Sequence, residues 1–203
     1  MASPEEILQF WFEDSCDSPD LAEKRNSFWF SVDTAVDEKI WTDYADLVVD
    51  AGADHYDHWA ETALGRLALI IVLNQFPRNI FRGTSEAYRY DEAALVCASD
   101  GIEKGQLAGL AVPQQAFFLM PYQHSEDIVV QRAGMELMQG MVDEVPQEWG
   151  TCAGTFLDFA RMHHDIVASY GRFPHRNAVV GRTSTEAETR YLAEGGHNFG
   201  QAG

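Results

Sequence analysis

The sequence predicts an all-α protein. Three observations carry that reading: helix-opening signals recur from end to end, apolar residues return at three- and four-residue spacing, and no hairpin turn or period-two run breaks the pattern. With 203 residues, 46% of them apolar, the chain can bury one core, and a single all-helical domain spanning 1–203 is expected.

The elements follow in order. Ser3-Pro4-Glu5-Glu6 supplies an N-cap serine, a proline at the first helical position and a capping-box glutamate, ahead of Ile7, Leu8, Trp11 and Phe12 at helical spacing. Ser18-Pro19-Asp20 repeats that opening before Leu21 and Phe28-Trp29-Phe30. A third helix carries Val36, Ile40, Tyr44, Leu47 and Val48 on one stripe and ends near Gly52. The next, around Thr62 to Gln75, is apolar on nearly every side, so it belongs in the middle of the molecule. Another helix runs from Asp91 to near Gly105, and one opens at Pro113. Ser125 reads as the cap of a helix burying Ile128, Met135, Met138, Val142 and Val145, with Glu126 and Asp127 in its first turn. A helix from about Thr155 to Tyr170 stops at Gly171, where a left-handed glycine is expected. Thr185-Glu186-Ala187-Glu188 is a capping box for the last. The total is about eight or nine helices, packed as an α-α superhelix or a compact array.

Charge narrows the partners. Lys plus Arg number 14 against 32 Asp plus Glu, a net charge of −18, which argues against nucleic acid and anionic membrane. Residues 1–61 hold 16 acids and 3 bases and read as an acidic helical layer; residues 62–203 hold 16 acids and 11 bases and carry the motifs. Cys16, Cys97 and Cys152 are far apart and odd in number, which fits a reducing compartment better than a disulfide framework. The opening is acidic, unlike a secretory signal, and the apolar run Leu67–Leu73 is too short to span a bilayer, so a cytoplasmic location is expected.

One repetition stands out. Asn74-Gln75-Phe76-Pro77-Arg78-Asn79-Ile80-Phe81-Arg82-Gly83-Thr84 is echoed by Gly171-Arg172-Phe173-Pro174-His175-Arg176-Asn177, which runs on to Gly181-Arg182-Thr183. Each segment breaks a long apolar helix with Phe-Pro and then presents Arg-Asn. The two hold five arginines and no acid in a strongly acidic chain. Arginine is shaped for forked hydrogen bonding to carboxylate or phosphate. If the loops converge, Arg78, Asn79, Arg82, Arg172, His175, Arg176 and Asn177, with Arg182 beside them, make an anion site. The alternative is architectural: the arginines meet bare helix-end carbonyls or pair with Glu126, Asp127 or Asp165, and the asparagines supply turns.

The histidines add chemistry to the first alternative. His163 follows Phe159 by four residues and faces the apolar stripe of its helix, where Asp165 is also one turn from Arg161. His124 precedes the Ser-Glu-Asp cap. Gathered with Glu126 or Asp127 beside the arginine loops, His124 and His163 are the acid–base candidates. A metal site from His124, Asp127 and His163 lacks the usual helical ligand spacing, so no metal or other cofactor is expected. There is no nucleophile elbow and no glycine-rich phosphate loop. Trp11, Phe12, Trp29, Phe30, Trp41 and Trp59 read as core or subunit interface.

The segments Leu67–Asn79, His124-Ser125-Glu126-Asp127 and Gly171–Asn177 together resemble a bacterial family known as domain of unknown function "nine-two-four", over essentially the whole chain. The resemblance implies an all-helical fold similar to the tetratricopeptide-repeat superfamily and implies no activity. Asn74 stands where that family commonly carries aspartate. Two functions therefore stand side by side: a small-anion site in an Arg/His pocket, and a helical interaction module or self-associating scaffold without catalysis.

Overall fold

A computed structural model describes residues 2–201, so the extreme ends of the 1–203 span lie outside it. The described residues form helices joined by turns and short 3-10 segments, with no strand. The helices are α1 (Pro4–Phe12), α2 (Pro19–Phe30), α3 (Thr34–Ala51), α4 (Ala63–Asn74), the five-residue α5 (Phe76–Ile80), α6 (Asp91–Glu103), α7 (Val112–His124), α8 (Ile128–Glu144), α9 (Gly150–Tyr170) and α10 (Glu186–Ala193). Apart from α5, nine helices reach at least eight residues, within the number expected.

Most of the punctuation acts as the sequence implies. Ser3 and Glu6 close a reciprocal capping box on α1, and Thr185 and Glu188 close another on α10. Gly171 ends α9 at φ +70°, a conformation that penalises any side chain. Two starts differ. α9 begins at Gly150 rather than near Thr155, continuing a short 3-10 turn from Gln147 to Trp149. α8 is capped by Asp127, whose carboxylate accepts the Val129 amide at 2.7 Å, and not by Ser125. Ser125 instead ends α7 and accepts the Asp127 amide, which leaves Glu126 between helices and available for other work.

α4 is the axis. Every residue from Gly65 to Asn74 is buried, and α1, α3, α6 and α7 pack around it. α7, α8 and α9 in turn pack against one another. Aromatic edges fill the centre: Trp11, Phe12 and Trp29 meet Phe117 with ring centroids 5.0–5.5 Å apart. Trp59 is buried too, whereas Trp41 is 59% exposed and Phe30 41%. The acidic layer 1–61 thus supplies core as well as surface. A second, smaller cluster of Ile166, Val167 and Phe173 lies at the end of α9. Among the described residues, no helix is long and apolar enough to cross a membrane.

Candidate functional site

The two Phe-Pro segments follow α4 and α9, and both helix ends open on one cavity of about 640 Å³. Arg78, Asn79 and Arg82 line it from the first segment, His175 and Arg176 from the second, His124 from the end of α7, and His163 from within α9. Trp29, Phe30, Met120, Phe159 and Met162 form an apolar wall. The chain after α10 crosses the opening. Phe199 stacks on His163 with ring centroids 4.2 Å apart, and Gln201 donates to the Arg78 carbonyl at 2.9 Å. Phe199 holds φ +54°, a left-handed conformation unusual for an aromatic residue, and these contacts hold it there.

The three arginines face two carboxylates, Asp37 and Asp91. Arg82 forks onto Asp37 at 2.7 and 2.8 Å, and Asn79 donates to the same carboxylate at 2.8 Å. Arg78 forks onto Asp91 at 2.7 and 2.8 Å and also donates to the Asn74 carbonyl. Arg176 is sandwiched between the rings of Tyr88 and Phe173, at 4.4 and 4.5 Å. One of its nitrogens donates to the His124 carbonyl at 3.0 Å, another lies 3.6 Å from Asp91, beyond a hydrogen bond, and Nε has no partner. Arg176 is only 8% exposed, and burial, against the attraction of Asp91 and Glu126 and with Arg78 opposing its charge, pulls it down to about 10, so it remains a cation at neutral pH.

Arg66 shows what a purely structural buried arginine looks like here. It is 2% exposed, donates to Gln106 and to the carbonyls of Ala60 and Cys97, and pairs with Asp100 at 2.6 Å. By that standard Arg176 is short of a partner.

The histidines are held as neutral rings. Asn74 donates its amide to Asp91 at 3.0 Å, because a carboxylate forked by arginine only accepts; its oxygen therefore faces His124 Nδ1 at 2.7 Å. Nδ1 of His124 then carries the proton and Nε2 the lone pair. His163 donates from Nδ1 to the Phe159 carbonyl at 2.7 Å, which likewise leaves Nε2 as an acceptor. Burial lowers His124 well below the usual imidazole range, and nearby Arg78 lowers it further. Burial brings His163 to about 4 and His175 to about 3, with Arg176 adding to both. The His175 Nδ1 is buried without a partner.

Not every residue singled out in the sequence joins this cavity. Arg172 points to Glu188 at 2.6 and 2.9 Å, a partner that faces it from α10. Glu126 accepts the Phe173 amide at 2.8 Å and forks with Arg182, so it anchors the second loop from outside the cavity. Burial pushes that carboxyl up, and the bonds to Arg182 and Phe173 more than reverse it. Asp127 is spent on its helix cap. Asn177 is buried at a right-handed φ of −54° and donates to Ser184, so neither it nor Asn79 supplies a left-handed turn. Arg161 pairs with Asp158 rather than Asp165.

Four residues were illegible as site residues: Asp37, Asp91, Tyr88 and Phe199. Asp91 has an ordinary explanation in sequence as a first-turn acid of α6, and Asp37 as one of α3. The three cysteines are free, and burial pushes each thiol up to about 11, away from nucleophilic reactivity. Among the described residues, no group of three or more His, Cys, Asp or Glu is placed to hold a metal ion.

A solved structure, that of the protein of unknown function ATU0120 from Agrobacterium tumefaciens, matches this fold with a TM-score of 0.79 and 34% identity, covering 95% of this chain and 97% of that one. No curated protein matches. The profile described as "bacterial protein of unknown function (DUF924)" covers residues 7–196, and the chain belongs to that family.

Proposed function

We propose that the protein binds a small anion in the cavity between its two arginine loops, with His124 and His163 positioned as proton acceptors beside it. One observation carries this reading: Arg78 and Arg176 turn toward a single carboxylate, Asp91, which leaves one buried cation without a full counter-charge. A buried charge is retained against its desolvation cost when something compensates it, and an anionic ligand supplies that compensation. His124 and His163 fit the same reading, since each leaves its Nε2 unprotonated.

The test is thermal stabilisation by acetate, sulfate and phosphate, compared between the wild type and Arg176→Met. The expected result is anion-dependent stabilisation of the wild type that the variant loses. No response to any anion, in either protein, would sink the reading.

A second reading has one feature in its favour. A groove of about 970 Å³ runs between α6, α7 and α8, walled by Leu107, Leu110, Leu137, Met141, Val145 and Trp149. Such a groove on a helical array suits an interaction module or a self-associating scaffold, as the expected tetratricopeptide-repeat likeness would imply. Sedimentation equilibrium separates the readings: a monomer across a wide concentration range speaks against self-association.

A further inference from the structure

We infer that the ligand of the arginine cavity is a monocarboxylate bearing an apolar group, rather than a phosphate ester or a simple inorganic anion. This rests on the anion reading and narrows it through two independent features, the charge balance of the cavity and the chemistry of its wall.

The charge balance comes first. Three cations line the cavity, Arg78, Arg82 and Arg176. Asp37 fully engages Arg82 through two hydrogen bonds, and Asp91 engages Arg78 in the same way. Arg176 has only a carbonyl and a carboxylate oxygen 3.6 Å away. His124, His163 and His175 add no charge near neutral pH, because burial lowers all three, His163 to about 4 and His175 to about 3. One positive charge is left over. A carboxylate cancels it, while a phosphate monoester, carrying about two negative charges at neutral pH, leaves a second charge stranded in a poorly solvated space.

The wall then selects what the carboxylate is attached to. Trp29, Phe30, Met120, Phe159, Met162 and Phe199 line the same cavity, and they offer aromatic faces and adaptable thioethers. Gln123, 4% exposed, also lines it with its Nε2 unpartnered, a neutral donor suited to an oxygen atom and not to a second charge. The volume, about 640 Å³, lies within the range of small-molecule sites. Acetate alone fills little of it.

The experiment is titration calorimetry with phenylacetate, hexanoate, acetate, phenylacetamide, phenyl phosphate and inorganic phosphate. The expected result is that phenylacetate or hexanoate binds at least about tenfold more tightly than acetate, phenylacetamide and both phosphates. Arg176→Met should weaken phenylacetate at least about tenfold, and Phe199→Ala should narrow the gap between phenylacetate and acetate. Circular dichroism confirms that each variant is folded, and Arg176→Gln, which removes the charge but keeps a polar side chain, provides the second variant if Arg176→Met fails to fold, with the same loss expected. Tighter binding of either phosphate would overturn the monocarboxylate assignment and leave the anion reading standing. Phenylacetamide binding as well as phenylacetate would overturn both, as would no binding by any probe.

Discussion

The side chain of Asn74 bridges Asp91 and His124, donating to the first at 3.0 Å and accepting from the second at 2.7 Å. The contact fixes which imidazole nitrogen carries the proton, and it does so with a neutral group. In Asn74→Asp the partner of His124 becomes an acid, which favours the protonated ring. The His124 titration, followed by the ring proton NMR signals, should then move up by about one unit or more. An unmoved titration would show that the bridge does not set the state of His124.

Acid should weaken the fold in a defined window. His163 titrates at about 4 when folded and near 6.5 when unfolded. Between those values the unfolded chain binds the extra proton, so stability is full above pH 6.5, falls as pH drops through the window, and changes no further through this group below about pH 4. Urea unfolding at pH 7 and pH 4.5 should differ by at least ~2 kcal/mol, with His175 and His124 acting in the same direction. His163→Phe should flatten the slope.

Removing the shared carboxylate should be costly. Asp91→Asn leaves Arg78 without its forked partner and Arg176 with only Glu126, a carboxylate already forked by Arg182, in side chains that are mostly buried. The expected loss is ~2–4 kcal/mol in urea unfolding, with part of it recovered by added acetate, because the variant cavity carries one more uncompensated positive charge. A variant as stable as the wild type would mean that the arginines are solvated.

The α7–α8 contact offers a packing test with an internal control. A Cβ on Gly134 would lie 2.5 Å from Tyr122 Cβ, whereas one on Gly140, two turns along the same helix, meets nothing within 4 Å. Gly134→Ala should destabilise by ~1–3 kcal/mol, and Gly140→Ala should stabilise by up to ~1 kcal/mol through helix propensity. Thermal melts of the two variants should therefore shift in opposite directions.

Much of the architecture was legible in sequence because its causes are local. Ser3, Ser18, Thr62 and Thr185 cap the helices they precede, Gly171 ends α9, and the all-round apolar run after Thr62 is the central helix. Those signals act over three or four residues, and a chain can be read at that range. The cap of α8 was misread because Ser125 and Asp127 are equally good capping side chains two residues apart, and the choice depends on where Glu126 is needed by Phe173 and Arg182.

The repeated Phe-Pro and Arg-Asn motif, by itself, determined that this chain carries two cationic loops at two helix ends. Only the tertiary structure decided which charges meet: Asp91 rather than Glu126 for Arg78, Asp37 for Arg82, Glu188 for Arg172, and no full partner for Arg176. The physical reason is that an arginine's partner is set by distance and burial across helices far apart in sequence, and every acid in this acidic chain is a plausible partner until the helices are packed.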